Sequence, residues 1–174
     1  KAPIFSMLSQ PKDQHMVEQV VLAAAHLAQT RIGALIVIER DAAVMDHLEE
    51  GITLDAEVSK ELLFSVFLPQ SPIHDGAVVI QNAKIAAAGC FLPMVANSDI
   101  GKELGTRHRA AMSLSEETDA LVVIVSEEKG WMSLALEGRI LHGLSENDLR
   151  SVLLSQFEPP SFAKSMFPWS DRKR

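Results

Sequence analysis

At 174 residues, 47% apolar and 22% charged, the chain fits one globular domain with a real core. A net charge of −7 at pH 7 argues against a protein whose main business is gripping nucleic-acid phosphates. The single cysteine, Cys90, excludes an intramolecular disulfide, leaves no cysteine cluster for structural zinc and points to a reducing setting.

No apolar run reaches the length of a membrane span, and no signal peptide is present. The chain starts at Lys1 rather than Met, as a fragment would, and its upstream part could hold a membrane segment. Residues 1–13, with Pro3 and Pro11, read as a lead-in, 14–158 as the domain, and the Pro-broken, basic 159–174 as a mobile tail.

Residues 14–30 place Met16, Val20, Ala23, Ala24 and Leu27 at helical spacing. The run GALIVIE (33–39) is apolar throughout and predicts a strand buried on both faces. In GITLDAEVSKELLFSVF, Asp55 could cap a helix with Val58, Leu62, Leu63 and Val66 on its apolar side, ended by Pro69 and Pro72. Two strands follow, 76–81 and 84–91, turned by Asn82-Ala83. A polar loop covers 93–106, and a helix begins near Thr106 with Ala110, Ala111 and Leu114 inward. DALVVIVS (119–126) is another buried strand, and WMSLALEGRIL holds one or two more. Ser145 caps a final helix. Helices alternating with buried strands, some paired as hairpins, give an α/β domain with a mixed central sheet flanked by helices.

Four stretches could carry chemistry. Pro72-Ile73 forces an extended approach to His74-Asp75-Gly76-Ala77. There Asp75 could bind a divalent cation or accept a hydroxyl proton, and Gly76 permits close approach of a ligand. The alternative is a turn in which Asp75 satisfies its own backbone. GTRHRAA (105–111) puts Arg107, His108 and Arg109 at a helix start, where cations oppose the dipole. A bound polyanion resolves that conflict, and otherwise these are solvated side chains on a surface helix. Ser126-Glu127-Glu128 stands at a strand end, where ligands of α/β sheets gather, or is a plain loop. Phe91-Leu92 closes the second hairpin strand as a base-stacking edge or as core. His15, His26 and His47 read as surface or packing residues, His142 has no evident partner, and Trp131 reads as core or hairpin cover. No GxxxxGK[ST], GxGxxG or GxSxG is present, so any phosphate chemistry uses another scaffold.

HDGAVVI, then KELGTRHRAA, then VVIVSEE, in this order and spacing, closely resemble the bacterial diadenylate cyclase domain (DAC or DisA_N), whose signatures are the DGA and RHR motifs. GALIVIER upstream is similar to the membrane-anchored, CdaA-like members, and the resemblance covers about residues 15–158.

The resemblance implies the DAC-domain fold and an enzyme that condenses two ATP into cyclic di-AMP and two pyrophosphates. It implies Mg2+ or Mn2+, a face-to-face homodimer, no nucleic-acid partner, and a soluble domain at the cytoplasmic face of the membrane, tethered through a segment absent here. By motif position, Asp75 helps activate the 3′-hydroxyl, and His74 with Asp75 holds metal. Gly76 and Ala77 line the nucleotide through their backbone. Leu92 meets adenine through its backbone, with Phe91 beside it, where some relatives carry Tyr. Thr106, Arg107 and His108 hold phosphates with Arg109 nearby. Ser126 contacts phosphate, and Glu127 or Glu128 the metal or triphosphate surroundings.

Overall fold

A computed structural model describes residues 10–93 and 105–158. The elements run α1 (Pro11–Gln29), β1 (Ala34–Ile38), a 3-10 turn at Met45–His47, β2 (Ile52–Glu57), α2 (Lys60–Phe67), β3 (Ala77–Gln81) and β4 (Lys84–Cys90). After these come α3 (Thr106–Glu117), β5 (Leu121–Val125), β6 (Met132–Leu136), β7 (Arg139–Leu144) and α4 (Glu146–Ser155). The expected tail, 159–174, and most of the polar loop lie outside the described residues.

The strands form one seven-stranded sheet in the order β2-β4-β3-β1-β5-β6-β7. β1 pairs parallel to β3 and antiparallel to β5, so the sheet is mixed, as the alternation of elements predicts. Both central strands, ALIVI and LVVIV, are buried at every position. A strand covered on both faces needs such an unbroken branched run. The edge strands β2 and β7 instead carry exposed residues along their length.

Helices α1, α2 and α4 cover one face. Val20, Leu27, Leu63, Leu149 and Leu153 pack there against Ile36, Val78, Val123 and Leu134. α3 covers part of the other face through Ala111 and Leu114, against Leu35, Val122, Ile124 and Ala135. Each fully buried Leu or Ile in these layers contributes about 1.5–3 kcal/mol. His26 stacks on Phe64 with ring centroids 4.0 Å apart, which confirms it as a packing residue between α1 and α2. His47 pairs with Glu117 at 3.1 Å at the surface.

Two expectations need correction. Asp55 caps nothing: it lies inside β2 at φ 45°, where the register against β4 shifts between Thr53 and Ala56. The cap of α2 is Ser59, whose Oγ accepts the Leu62 N–H at 3.1 Å. Asp55, Ala56 and Glu57 thus belong to a strand where the sequence suggests a helix and its cap, and a positive φ at Asp55 is a bulge that Asp tolerates better than most residues. α1 also begins at Pro11 rather than at residue 14, because proline lacks the N–H that a first helical residue would leave unpaired. Ser145 is the expected cap of α4, and a full capping box with Asp148 reinforces it.

Candidate functional site

The register decides which chain segments meet. Ala34 pairs with Val125, so the start of β1 and the end of β5 share one sheet edge. β3 runs parallel to β1, so its start lies there too, and Ala77 opposite Cys90 adds the end of β4. Val125 opposite Met132 adds the start of β6, and Met132 opposite Leu144 the end of β7. His74-Asp75-Gly76, Phe91-Leu92 and Ser126-Glu127 therefore all sit at the same end of the sheet.

On the β5–β7 side of that end lies a cavity of about 600 Å3. Thr106, Arg107, His108, Ser126, Glu127 and Glu128 line it, six of the residues singled out in the sequence. Gly105 is the N-cap of α3 and supplies no side-chain cap, and no acidic residue occupies the first turn. The first intrahelical bond closes at Arg109 N–H, so the preceding N–H groups point out of the helix. With the dipole and Arg107, they make the mouth of the cavity attractive to an anion.

Arg107 donates to Glu127 at 3.3 Å and lies across the start of β1, where Gly33 has no side chain to obstruct it. The Ser126 hydroxyl accepts the Lys129 N–H at 3.3 Å, which leaves its own proton free to donate into the cavity. Burial first, then the neighbouring His142 and Arg107, hold the His108 imidazole below its ordinary pKa.

The His74-to-Ala77 turn and Phe91-Leu92 form a second group beyond β1 and do not line this cavity. Ala77 is fully buried, so only its backbone can face a ligand. Gly76 has φ +89°, and a Cβ there would lie 2.7 Å from the Cys90 carbonyl oxygen, so the turn into β3 requires glycine. Phe91 is 50% exposed and so is not core, while Leu92 packs partly against the α3-side core. Arg109, half-buried on α3, does not line the cavity.

His74 Nδ1 lies 2.7 Å from the Ser71 carbonyl oxygen, which fixes the proton on Nδ1. Nε2 lies 3.3 Å from Asp75 Oδ1, an ion pair when the ring is protonated. An imidazole lone pair beside a carboxylate fits a divalent cation, with its backbone-anchored Nδ1–H as outer support. Among the described residues no three such donors converge, so phosphate oxygens would have to complete the coordination.

Sequence reasoning missed Lys129, Ser133 and His142, which also line the cavity, and misjudged Trp131. Trp131 is 50% exposed on the cavity wall, with the Lys129 ammonium 4.6 Å from its ring centroid. Periodicity carries no signal for these four, because their meeting depends on how β5, β6 and β7 pair.

The family model for DAC, described as DisA bacterial checkpoint controller nucleotide-binding, matches residues 21–140. Cyclic di-AMP synthase CdaA of Bacillus subtilis is 46% identical over 90% of this chain and 57% of its own length. A diadenylate cyclase of Listeria monocytogenes is 42% identical over 83% and 53%. The chain thus spans about half the length of these curated relatives. Among solved structures, a double mutant of DacA from Staphylococcus aureus superposes with TM-score 0.79 at 42% identity, covering 85% of this chain and 99% of that one. A hypothetical membrane spanning protein from Bacillus cereus gives TM-score 0.70 at 42% identity over 73% and 62%. On the family match, the identities and the shared mixed sheet, the chain belongs to the DAC family of DisA-type nucleotide-binding domains.

Proposed function

We propose that the chain is a diadenylate cyclase that condenses two ATP into cyclic di-AMP, releasing two pyrophosphates, across a face-to-face dimer with Mg2+ or Mn2+. The observation that carries this reading is that the His74-Asp75-Gly76 turn and the Thr106-Arg107-His108 helix start lie at the same end of one sheet, with Arg107 against Gly33 just before β1. The Bacillus and Listeria relatives, named as a cyclic di-AMP synthase and a diadenylate cyclase, support it.

In each half-reaction a 3′-oxygen bonds to the α-phosphorus of the other nucleotide, and the bond to pyrophosphate breaks. Phosphoryl transfer of this kind needs in-line placement and charge neutralisation more than covalent help. Arg107, the free N–H groups of α3 and the Ser126 hydroxyl bind and orient the phosphates. Asp75, exposed at the turn, accepts the 3′-hydroxyl proton. Gly76 and the backbone of Ala77 allow the nucleotide close to the sheet edge, and the exposed ring of Phe91 offers the base a flat apolar face without a hydroxyl. Glu127 balances Arg107 until phosphate takes its place. His74 and Asp75 would hold the Mg2+ or Mn2+, which supplies positive charge to the phosphate oxygens.

One domain offers one nucleotide site, and the product joins two nucleotides by equivalent bonds. A two-fold dimer meets this requirement, because each half contributes one nucleophile and one electrophile. Among the described residues no helix is long and apolar enough to cross a membrane. The Bacillus cereus neighbour is named as membrane spanning, and by analogy with it we propose that this domain works at the cytoplasmic face of a membrane.

The test is incubation with ATP and Mn2+, then Mg2+, over a range of protein concentrations, with products separated and identified by mass. Cyclic di-AMP whose specific activity rises with protein concentration is expected. ATP binding without any product, even in a forced dimer, would leave a nucleotide-sensing module and end the cyclase reading.

A further inference from the structure

The β6–β7 pairing contains an irregularity placed against the cavity. Leu134 opposes Leu141 and Met132 opposes Leu144, so Ser133 alone faces two residues, His142 and Gly143. One residue against two is a β-bulge, and bulges re-aim side chains beside functional sites. Gly143 adopts φ +59°, yet a Cβ there would meet nothing within 4 Å. The glycine serves the backbone conformation of the bulge, not a shortage of space.

The bulge brings His142, otherwise a residue of an exposed edge strand, to the cavity wall with Ser133. Its ring centroid is 5.8 Å from that of His108, the planes tilted by 36°. Ser133, 1% exposed, places Oγ 3.5 Å from His142 Nδ1. Two imidazoles this close to each other and to Arg107 repel when protonated, which agrees with the lowered pKa of His108. A polyanion between them reverses that balance and favours the charged forms.

We propose that His142 is a further phosphate-positioning residue that completes, with His108, a paired-imidazole subsite for the terminal phosphates of the nucleotide. This rests on reading the cavity as a polyphosphate site. The other charged groups around it are Arg107 on α3 and Glu127, Glu128 and Lys129 in the β5–β6 turn. Of these, Glu127 is already paired with Arg107, and Lys129 lies over Trp131. Binding of a polyanion is accompanied by proton uptake on the imidazole pair, so affinity falls as pH rises through the imidazole range.

Inorganic pyrophosphate, titrated calorimetrically without metal into the whole chain, tests this at about pH 6 and about pH 8, on either side of the ordinary imidazole pKa. Four proteins are compared at each pH: the parent, His142→Gln, His142→Lys and Arg107→Ala. His142→Gln is expected to weaken binding about tenfold at the lower pH and far less at the higher, the loss of one charged hydrogen bond. His142→Lys carries a fixed charge, so it should bind at both pH values with a weaker pH dependence than the parent, the remainder coming from His108 and from pyrophosphate itself. Unchanged affinity and pH dependence in His142→Gln, with a lower melting temperature, would make His142 a brace between β6 and β7 and overturn the inference. If Arg107→Ala weakens binding and His142→Gln does not, only the role of His142 falls. If neither variant matters, the polyphosphate reading of the cavity falls with it.

Discussion

A Cβ atom placed on Gly33 would lie 2.6 Å from Nη1 of Arg107, so the guanidinium crosses the start of β1 through space that only glycine leaves open. The obstructed group would be the far end of a flexible side chain, and it can swing away. Gly33→Ala should therefore leave the urea midpoint close to the parent value, within about 0.5 kcal/mol of stability. It should weaken pyrophosphate binding up to about tenfold, because Arg107 loses its position. Unaltered affinity would mean that Arg107 does not reach phosphate from this site.

Gly76 gives the opposite outcome from a similar distance. Its added Cβ would meet the Cys90 carbonyl oxygen at 2.7 Å, and its φ of +89° strains any other residue. That carbonyl belongs to the β3–β4 ladder opposite Ala77 and cannot swing aside. Gly76→Ala should cost about 1–3 kcal/mol, read as a lower urea midpoint. A variant as stable as the parent would refute the glycine requirement at this turn.

Asp75 is 70% exposed, and its neighbour His74 is the contact that geometry gives it. Asp75→Asn removes the charge and keeps the shape. Cyclic di-AMP formation should drop by at least about a hundredfold, the scale of a lost proton acceptor, with circular dichroism and melting temperature unchanged. Product formation at the parent rate would take Asp75 out of the chemistry.

The lowered pKa of His108 sets a pH dependence of folding. Burial, His142 and Arg107 all disfavour its protonated form in the native state. Between the native value and the unfolded value of about 6.5, the unfolded chain binds more protons, so stability rises with pH across that window. The contribution is complete above about pH 6.5 and is lost as pH falls through the window. His108→Gln should flatten this part of the curve, measured as melting temperature from about pH 5 to about pH 8 without ligand. A curve as steep as the parent's would place the dependence on another group.

Much of the fold was legible because it is written in local patterns. Five-residue runs such as ALIVI and LVVIV can only be strands covered on both faces, and Ser145 with Asp148 spells a helix start. GITLDAEVSKELL misled because its apolar spacing suits a helix, while pairing of residues 52–57 with β4 makes the first part a strand. Tertiary pairing outweighed propensity there. Among the site residues, Thr106, Arg107, His108, Ser126 and Glu127 were visible as motif members and do share one cavity.

By itself the sequence determined the elements other than β2, the two motif stretches and the family, since these depend on periodicity, capping and the order of short signatures along the chain. Only the tertiary structure decided that β1 stands between the two groups, with Arg107 reaching across Gly33. It also decided that a bulge opposite Ser133 brings His142 beside His108. These relationships join residues as far apart in the chain as 33 and 107, and strand register sets them. No pattern within a single segment encodes register, because it is the packing of whole strands that selects it.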